Sequence, residues 1–219
     1  MDILQQLKIL SEPMGLEPAE DTGCPNIGSR TMPEVYTHAA ILPNGKTIKL
    51  LKTLMTSACE RNCNYCPFRA GRDTRRATLN PEEFARFFMH LHRAGIVEGL
   101  FLSSGIIKGG VHSQDKLLDS ADILRNKLGF KGYLHLKLMP GSEYAQVEQA
   151  MRLSDRVSLN LEAPNPARLE MLAPRKVFVE ELIQPLRWVD EIRRKQPAYY
   201  GWNHRWPTTT TQFVVGGVD

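Results

Sequence analysis

The stretch Lys46-Thr-Ile-Lys-Leu-Leu-Lys-Thr-Leu-Met-Thr56 runs through Ser57-Ala58 into Cys59-Glu-Arg-Asn-Cys63-Asn-Tyr-Cys66, and its reading decides the fold. Rich in Leu, Ile and Thr and free of glycine and proline, it reads as a buried strand over 46–56 that ends in a cysteine loop. The next helix is expected to open at Asn80-Pro81-Glu82-Glu83, where asparagine caps, proline suits the first turn and the acidic pair meets the helix dipole. The unit then repeats. A second strand is expected at 99–103, followed by Gly105, the pair Gly109-Gly110, and a helix over 114–128 that stops at Gly129. A third, at 131–138, ends before Pro140-Gly141. A fourth, at 156–161, leads through Glu162-Ala-Pro-Asn-Pro166 into helical segments that run to residue 195, and a fifth, at 209–215, ends in Gly216-Gly217. Strands alternating with helices build parallel sheets. The expected fold class is α/β, an open partial (β/α) barrel, truncated after the fifth strand because no helical pattern follows it. Such a barrel places its active site at the C-terminal strand ends. Upstream, Ile3, Leu4, Leu7 and Leu10 mark a short helix, and the Pro/Gly-rich run over 13–43 shows little periodicity. The chain therefore divides into an N-terminal extension, 1–45, wrapped on a core, 46–219.

Within the loop, Cys59-x3-Cys63-x2-Cys66 presents three thiols in eight residues, a spacing that delivers three sulfurs to three corners of a 4Fe-4S cubane. No nearby fourth cysteine completes the set. An electron-transfer cluster normally has four protein ligands, so the missing one points to an iron that binds substrate or cofactor. Two other metal chemistries use clustered cysteines. Structural zinc takes four Cys or His ligands in paired knuckles, and no second pair is present. A ferredoxin run spaces its cysteines by two and two, which this chain does not do. Cys24, the fourth cysteine of the chain, stands apart.

Composition sets wider bounds. With 219 residues, 42% hydrophobic and 24% charged, the chain is long enough to bury a sizeable core and is not disordered as a whole. Clustered cysteines suit a reducing compartment; with no signal-like start and no apolar run of membrane length, the expected location is the cytoplasm, without a membrane partner. A net charge of +4 permits contact with nucleic acid without demonstrating it.

The sequence Cys59-Glu-Arg-Asn-Cys63-Asn-Tyr65-Cys66, with an aromatic residue before its last cysteine and a strand before its first, resembles the radical S-adenosylmethionine signature. The resemblance extends through most of 46–219. It implies a 4Fe-4S cluster on Cys59, Cys63 and Cys66 whose open iron chelates S-adenosylmethionine, an external electron donor, and a 5′-deoxyadenosyl radical that takes hydrogen from a substrate. Leu102-Ser103-Ser104-Gly105 stands where that family often carries Gly-Gly-Glu; the acidic residue is absent here, leaving Ser103 and Ser104 as polar candidates beside the plain reading of a strand end and turn. Ser158, Asn160 and Glu162 share a face by the two-residue period of a strand. The Asn160-Leu-Glu162 segment is similar to one that reaches the cofactor in lipoyl and biotin synthases. His135 and Lys137 also share a face, Lys137 either reaching into the barrel or snorkelling to water. Arg168 and Arg175-Lys176 are surface charges or partners for the methionine carboxylate, and Gly216 resembles the close-approach position beside adenine.

Among radical enzymes, the combination of Tyr65-Cys-Pro-Phe-Arg69, Leu134-His-Leu-Lys137-Leu-Met-Pro140 and Asn160-Leu-Glu162-Ala-Pro164 looks most like the DNA modification or repair enzymes associated with a uracil-DNA-glycosylase-like partner. Those proteins are longer and carry a helix-hairpin-helix region with no counterpart here. Arg69, Arg72, Arg75 and Arg76, and Trp202, His204, Arg205 and Trp206, are the groups that would meet phosphates and bases; solvated loops and packed aromatics are the simpler reading of each run. The competing function is a truncated or non-catalytic iron-sulfur cluster-binding protein.

Overall fold

A computed structural model describes residues 1–16, 29–32, 35–42 and 45–218. Cys24 lies outside the described residues. The sheet has seven strands in chain order: β1 (Ser29–Met32), β2 (Val35–Ile41), β3 (Thr47–Leu54), β4 (Gly99–Ser103), β5 (Tyr133–Lys137), β6 (Arg156–Ser158) and β7 (Thr208–Thr210). From β3 to β7 every neighbouring pair is parallel, whereas β1, β2 and β3 pair antiparallel. The helices are α1 (Ile3–Ser11), α2 (Pro81–Arg93), α3 (Gly109–Asp122), α4 (Tyr144–Leu153), α5 (Pro166–Leu172) and α6 (Gln184–Lys195). Parallel strands added one after another by right-handed crossovers put their helices on the same side of the sheet. Accordingly α2 packs on α3, α3 on α4, and α4 on α6.

The strand interiors are buried, with Leu50, Leu51, Leu100, Phe101, Leu102, Leu134, Leu136 and Val157 inaccessible to solvent. Local chemistry starts the helices where expected. Asn80 Oδ1 accepts from the Glu82 and Glu83 N–H groups at 3.0 and 3.2 Å, and Asn165 Oδ1 accepts from Arg168 N at 2.9 Å.

Several boundaries differ from the sequence reading. The extension contributes more than a wrap: β1 and β2 join the sheet beside β3, and α1 packs on β2 and β3 with Leu7 and Leu10 buried. The ladder with β3 supplies an order that a short, proline-flanked segment does not announce by itself. The third helix begins at Gly109 rather than residue 114, and continues past Asp122 as a π-helical turn, Ile123–Lys127. Gly110 permits that start, since a Cβ there would lie 1.8 Å from the Pro140 carbonyl oxygen. The fourth parallel-unit strand stops at Ser158 rather than 161, and the fifth is Thr208–Thr210 rather than 209–215. Val215 is almost fully exposed.

Candidate functional site

The cysteine loop leaves the C-terminal end of β3 and is fastened from several directions. Cys59 Sγ accepts from the Arg61 and Ile106 N–H groups, each at 3.4 Å, and Cys66 Sγ accepts from Phe68 N at 3.4 Å. Gly105 makes the Cys59 end possible: its N–H donates to Thr56 O at 2.7 Å, and a Cβ there would meet Ala58 O at 2.3 Å. The Glu60 carboxylate accepts from the N–H groups of Lys108 and Gly109 at 3.1 and 3.2 Å, which joins the loop to the start of α3. Arg76 is the central staple. Its guanidinium donates to the carbonyls of Ser57 at 2.6 Å, Phe68 at 2.8 Å, Arg69 at 3.1 Å and Arg72 at 3.2 Å.

A strap formed by the segment after α5 crosses the loop. Asn64 N donates to Leu172 O at 2.7 Å, Arg175 Nη1 to Glu60 O at 2.9 Å, and Arg61 bonds both the Arg175 carbonyl and Glu181. Lys176 Nζ lies 2.9 Å from Glu162 Oε1 and 3.0 Å from the Tyr65 hydroxyl. Burial would by itself lower the Lys176 ammonium, but the Glu162 carboxylate and the nearby Cys63 and Cys66 sulfurs outweigh it and raise its pKa. Burial, followed by the Glu162 charge and Cys63, pushes the Tyr65 phenol far above its ordinary range. Burial also raises the Cys66 thiol, partly offset by the Phe68 N–H, with Cys63 and Cys59 adding to the rise.

The polar residues of the neighbouring strand ends gather here in part. Lys137 Nζ donates to Asn160 Oδ1 at 2.6 Å, so this lysine reaches a polar partner inside rather than water. His135 Nε2 and Ser158 Oγ are 2.8 Å apart, with the imidazole edge-on to Phe101. The shared face expected for Ser158, Asn160 and Glu162 ends with the strand, because Glu162 takes a left-handed conformation at φ 64°. That turn pairs Glu162 with the terminal segment: its N–H donates to Gln212 O at 2.9 Å and its carbonyl accepts from Val214 N at 2.8 Å. Gly216, at φ 72°, has open space where a side chain would stand. Ser103 is buried at the end of β4. Ser104 instead lines a cavity of about 360 Å³ with Thr56, Asn80, His112 and Lys116, to which no cysteine contributes.

The expected nucleic-acid groups divide. Arg76 and Arg69 are used inside the loop, Arg69 donating to Asn64 Oδ1 at 2.9 Å. Trp202 stacks on the buried Arg125 guanidinium, 3.8 Å from the ring centre. Arg125 in turn donates to the carbonyls of Phe130, Gly132 and Leu153 and pairs with Asp155 at 2.9 Å. These partners lie just before β5 and β6, at the opposite strand ends from the cysteines. Trp202 therefore closes the foot of the sheet.

Sequence reasoning missed Glu60, Arg61 and Glu181 and read Arg76 only as a phosphate contact, because their partners lie far along the chain or are backbone carbonyls, which leave no spacing signature.

The donor set fits a cluster. The three thiols lie in one loop, near enough for Cys63 and Cys59 to act on the Cys66 thiol, and the sulfurs of Cys59 and Cys66 already accept backbone N–H bonds of the kind that cluster-bound sulfurs take. Asn62 Oδ1 in the loop and Gln212 Nε2 beside Glu162 are buried without a hydrogen-bond partner, as polar groups facing a bound cofactor are.

Comparison with solved structures finds the same fold in several proteins. The FeFe-hydrogenase maturase HydG from Carboxydothermus hydrogenoformans matches with a TM-score of 0.59 at 15% identity over 78% of this chain and 37% of that one. Methylornithine synthase (PylB) matches at 0.58 and 14% over 76% and 44%, and the cobalamin-dependent S-adenosylmethionine radical enzyme OxsB at 0.53 and 13% over 81% and 29%. The chain thus spans less than half the length of each. A search of the curated proteins finds no match. No helix among the described residues is long and apolar enough to cross a membrane. The family model of the radical SAM superfamily matches residues 53–196, from the end of β3 through the cysteine loop and strap to the end of α6. The chain belongs to the radical SAM superfamily, a family of enzymes that use a 4Fe-4S cluster and S-adenosylmethionine.

Proposed function

We propose that this chain holds a 4Fe-4S cluster on Cys59, Cys63 and Cys66, binds S-adenosylmethionine against Ser103, Asn160, Glu162 and Gly216, and generates a 5′-deoxyadenosyl radical in the cytoplasm. Ser104 shapes the turn beside that site. The observation that carries the reading is the cysteine loop at the C-terminal end of β3, with N–H donors on Cys59 and Cys66 and a polar link from Tyr65 through Lys176 to Glu162. A bound cluster supplies the electron that cleaves the cofactor's sulfonium. The chain's own residues orient: backbone N–H groups hold the Cys59 and Cys66 sulfurs in place, and Glu162 and Asn160 offer oxygens at the strand ends. Protein reconstituted anaerobically and reduced with dithionite is expected to convert S-adenosylmethionine to 5′-deoxyadenosine, and Cys59→Ala is expected not to. If wild type makes none and its EPR spectrum ignores S-adenosylmethionine, the non-catalytic cluster-binding alternative stands instead.

For the substrate we propose nucleic acid, with a uracil-DNA-glycosylase-like protein as partner. This rests on the three segments quoted above and on exposed Arg72 and Arg75 close after the cluster loop. Binding to DNA with affinity that falls steeply with salt supports it, and flat salt dependence counts against it.

A further inference from the structure

Lys176 sits where a charge needs a reason. Its side chain is 9% exposed and that of Glu162 6%. Exchanging such a buried pair for apolar groups often costs a fold nothing, so stability alone does not call for it. The partners show what it joins. On one side is Glu162, held at φ 64°, a conformation that non-glycine residues keep only where the surroundings impose it. On the other is Tyr65, a loop residue between Cys63 and Cys66, whose hydroxyl accepts from Lys176 Nζ at 3.0 Å. A polar link thus runs from Tyr65, the residue beside Cys66, through Lys176 to the turn after β6, across more than a hundred residues of sequence.

We propose that Lys176 is a positioning residue for the cofactor: it acts through Glu162 and Tyr65, fixing the carboxylate at a set place relative to the cluster cysteines, and does not itself bind S-adenosylmethionine. The inference rests on the cofactor site proposed above. The backbone bonds of Glu162 to Gln212 and Val214 set its main chain, and Lys176 sets its side chain. Without the ammonium the carboxylate loses its buried partner and turns from the site.

The test measures the S-adenosylmethionine concentration that half-saturates the EPR change of the reduced cluster, in protein of known iron and sulfide content. Lys176→Met is expected to load its cluster and to need about 10- to 100-fold more cofactor, the loss of a charged hydrogen bond, while Lys176→Arg recovers most of that affinity. Wild-type affinity in loaded Lys176→Met overturns the proposal. A second comparison holds even if that variant does not fold: Glu162→Gln against the Glu162→Gln/Lys176→Met double variant, from which both charges are gone. Equal affinities support a role through Glu162. A further tenfold loss in the double variant shows that Lys176 binds the cofactor directly, and overturns it. If wild type itself shows no EPR response, the cofactor site fails and takes the inference with it; if wild type responds and the variants do not differ, the inference alone fails.

Discussion

Arg76→Met should empty the cysteine loop of its cluster while leaving the sheet intact. In the native loop one guanidinium serves four carbonyls, two at 2.6 and 2.8 Å and two at 3.1 and 3.2 Å. The bond to Arg72 is exposed, where water can take over, and that to Arg69 is the longest of the part-buried three. The shorter pair, to Ser57 and Phe68, brackets the three cysteines, and each bond from a charged donor is worth about 1.5–3 kcal/mol. Their joint loss costs the closed loop about 3–6 kcal/mol, a factor of roughly 10² to 10⁴ in its population relative to open forms. Arg76→Lys keeps the charge but not the planar fork, and should fall between the two. Iron and sulfide per chain after anaerobic reconstitution, with far-UV circular dichroism as a control, provide the assay. Arg76→Met with native dichroism should hold less than about a tenth of the wild-type iron, given even the smaller penalty. Full loading of that variant would refute the staple.

Two other substitutions probe the frame. Gly105→Ala places a Cβ 2.3 Å from Ala58 O and 3.1 Å from Thr56 O, both backbone atoms with no side chain to swing away, so Cys59 must shift; the variant should fold yet load poorly, and a loaded cluster with an unchanged EPR spectrum would contradict this. Arg125→Met removes a fully buried cation from Asp155, three carbonyls and Trp202, which should cost about 3–5 kcal/mol and lower Tm by about 6–20 °C. Because this group lies at the far strand ends, cluster loading well below that Tm should be unchanged, and a loss of loading there would refute the separation.

The parallel core was legible because βα units repeat a strong local pattern. The run that became β3, the Asn80 cap and strand β4 all carry their signals within a few residues. Strands β1 and β2 were not legible, since their order comes from pairing with β3. The ends of β6 and β7 were overextended for a related reason: alternating polarity continues past Ser158, but Glu162 turns left-handed to meet the terminal segment. Within the proposed site, the cysteines, Asn160 and Glu162 are the candidates that short motifs single out. At 202–206 the packed-aromatic reading fits Trp202, though composition does not show at which end of a sheet a side chain lies.

The sequence by itself singled out the three cysteines proposed as cluster ligands, since a cubane's demand for thiolates at close spacing is met within eight residues of one loop. Tertiary structure alone decided what holds that loop and what it is joined to: Arg76 across the loop, Glu60 at the start of α3, and Lys176 between Tyr65 and Glu162. Ligation by neighbouring cysteines is a local property of the chain. Compensating a buried charge is not, because the partner that satisfies it can come from any segment the fold brings within hydrogen-bonding distance.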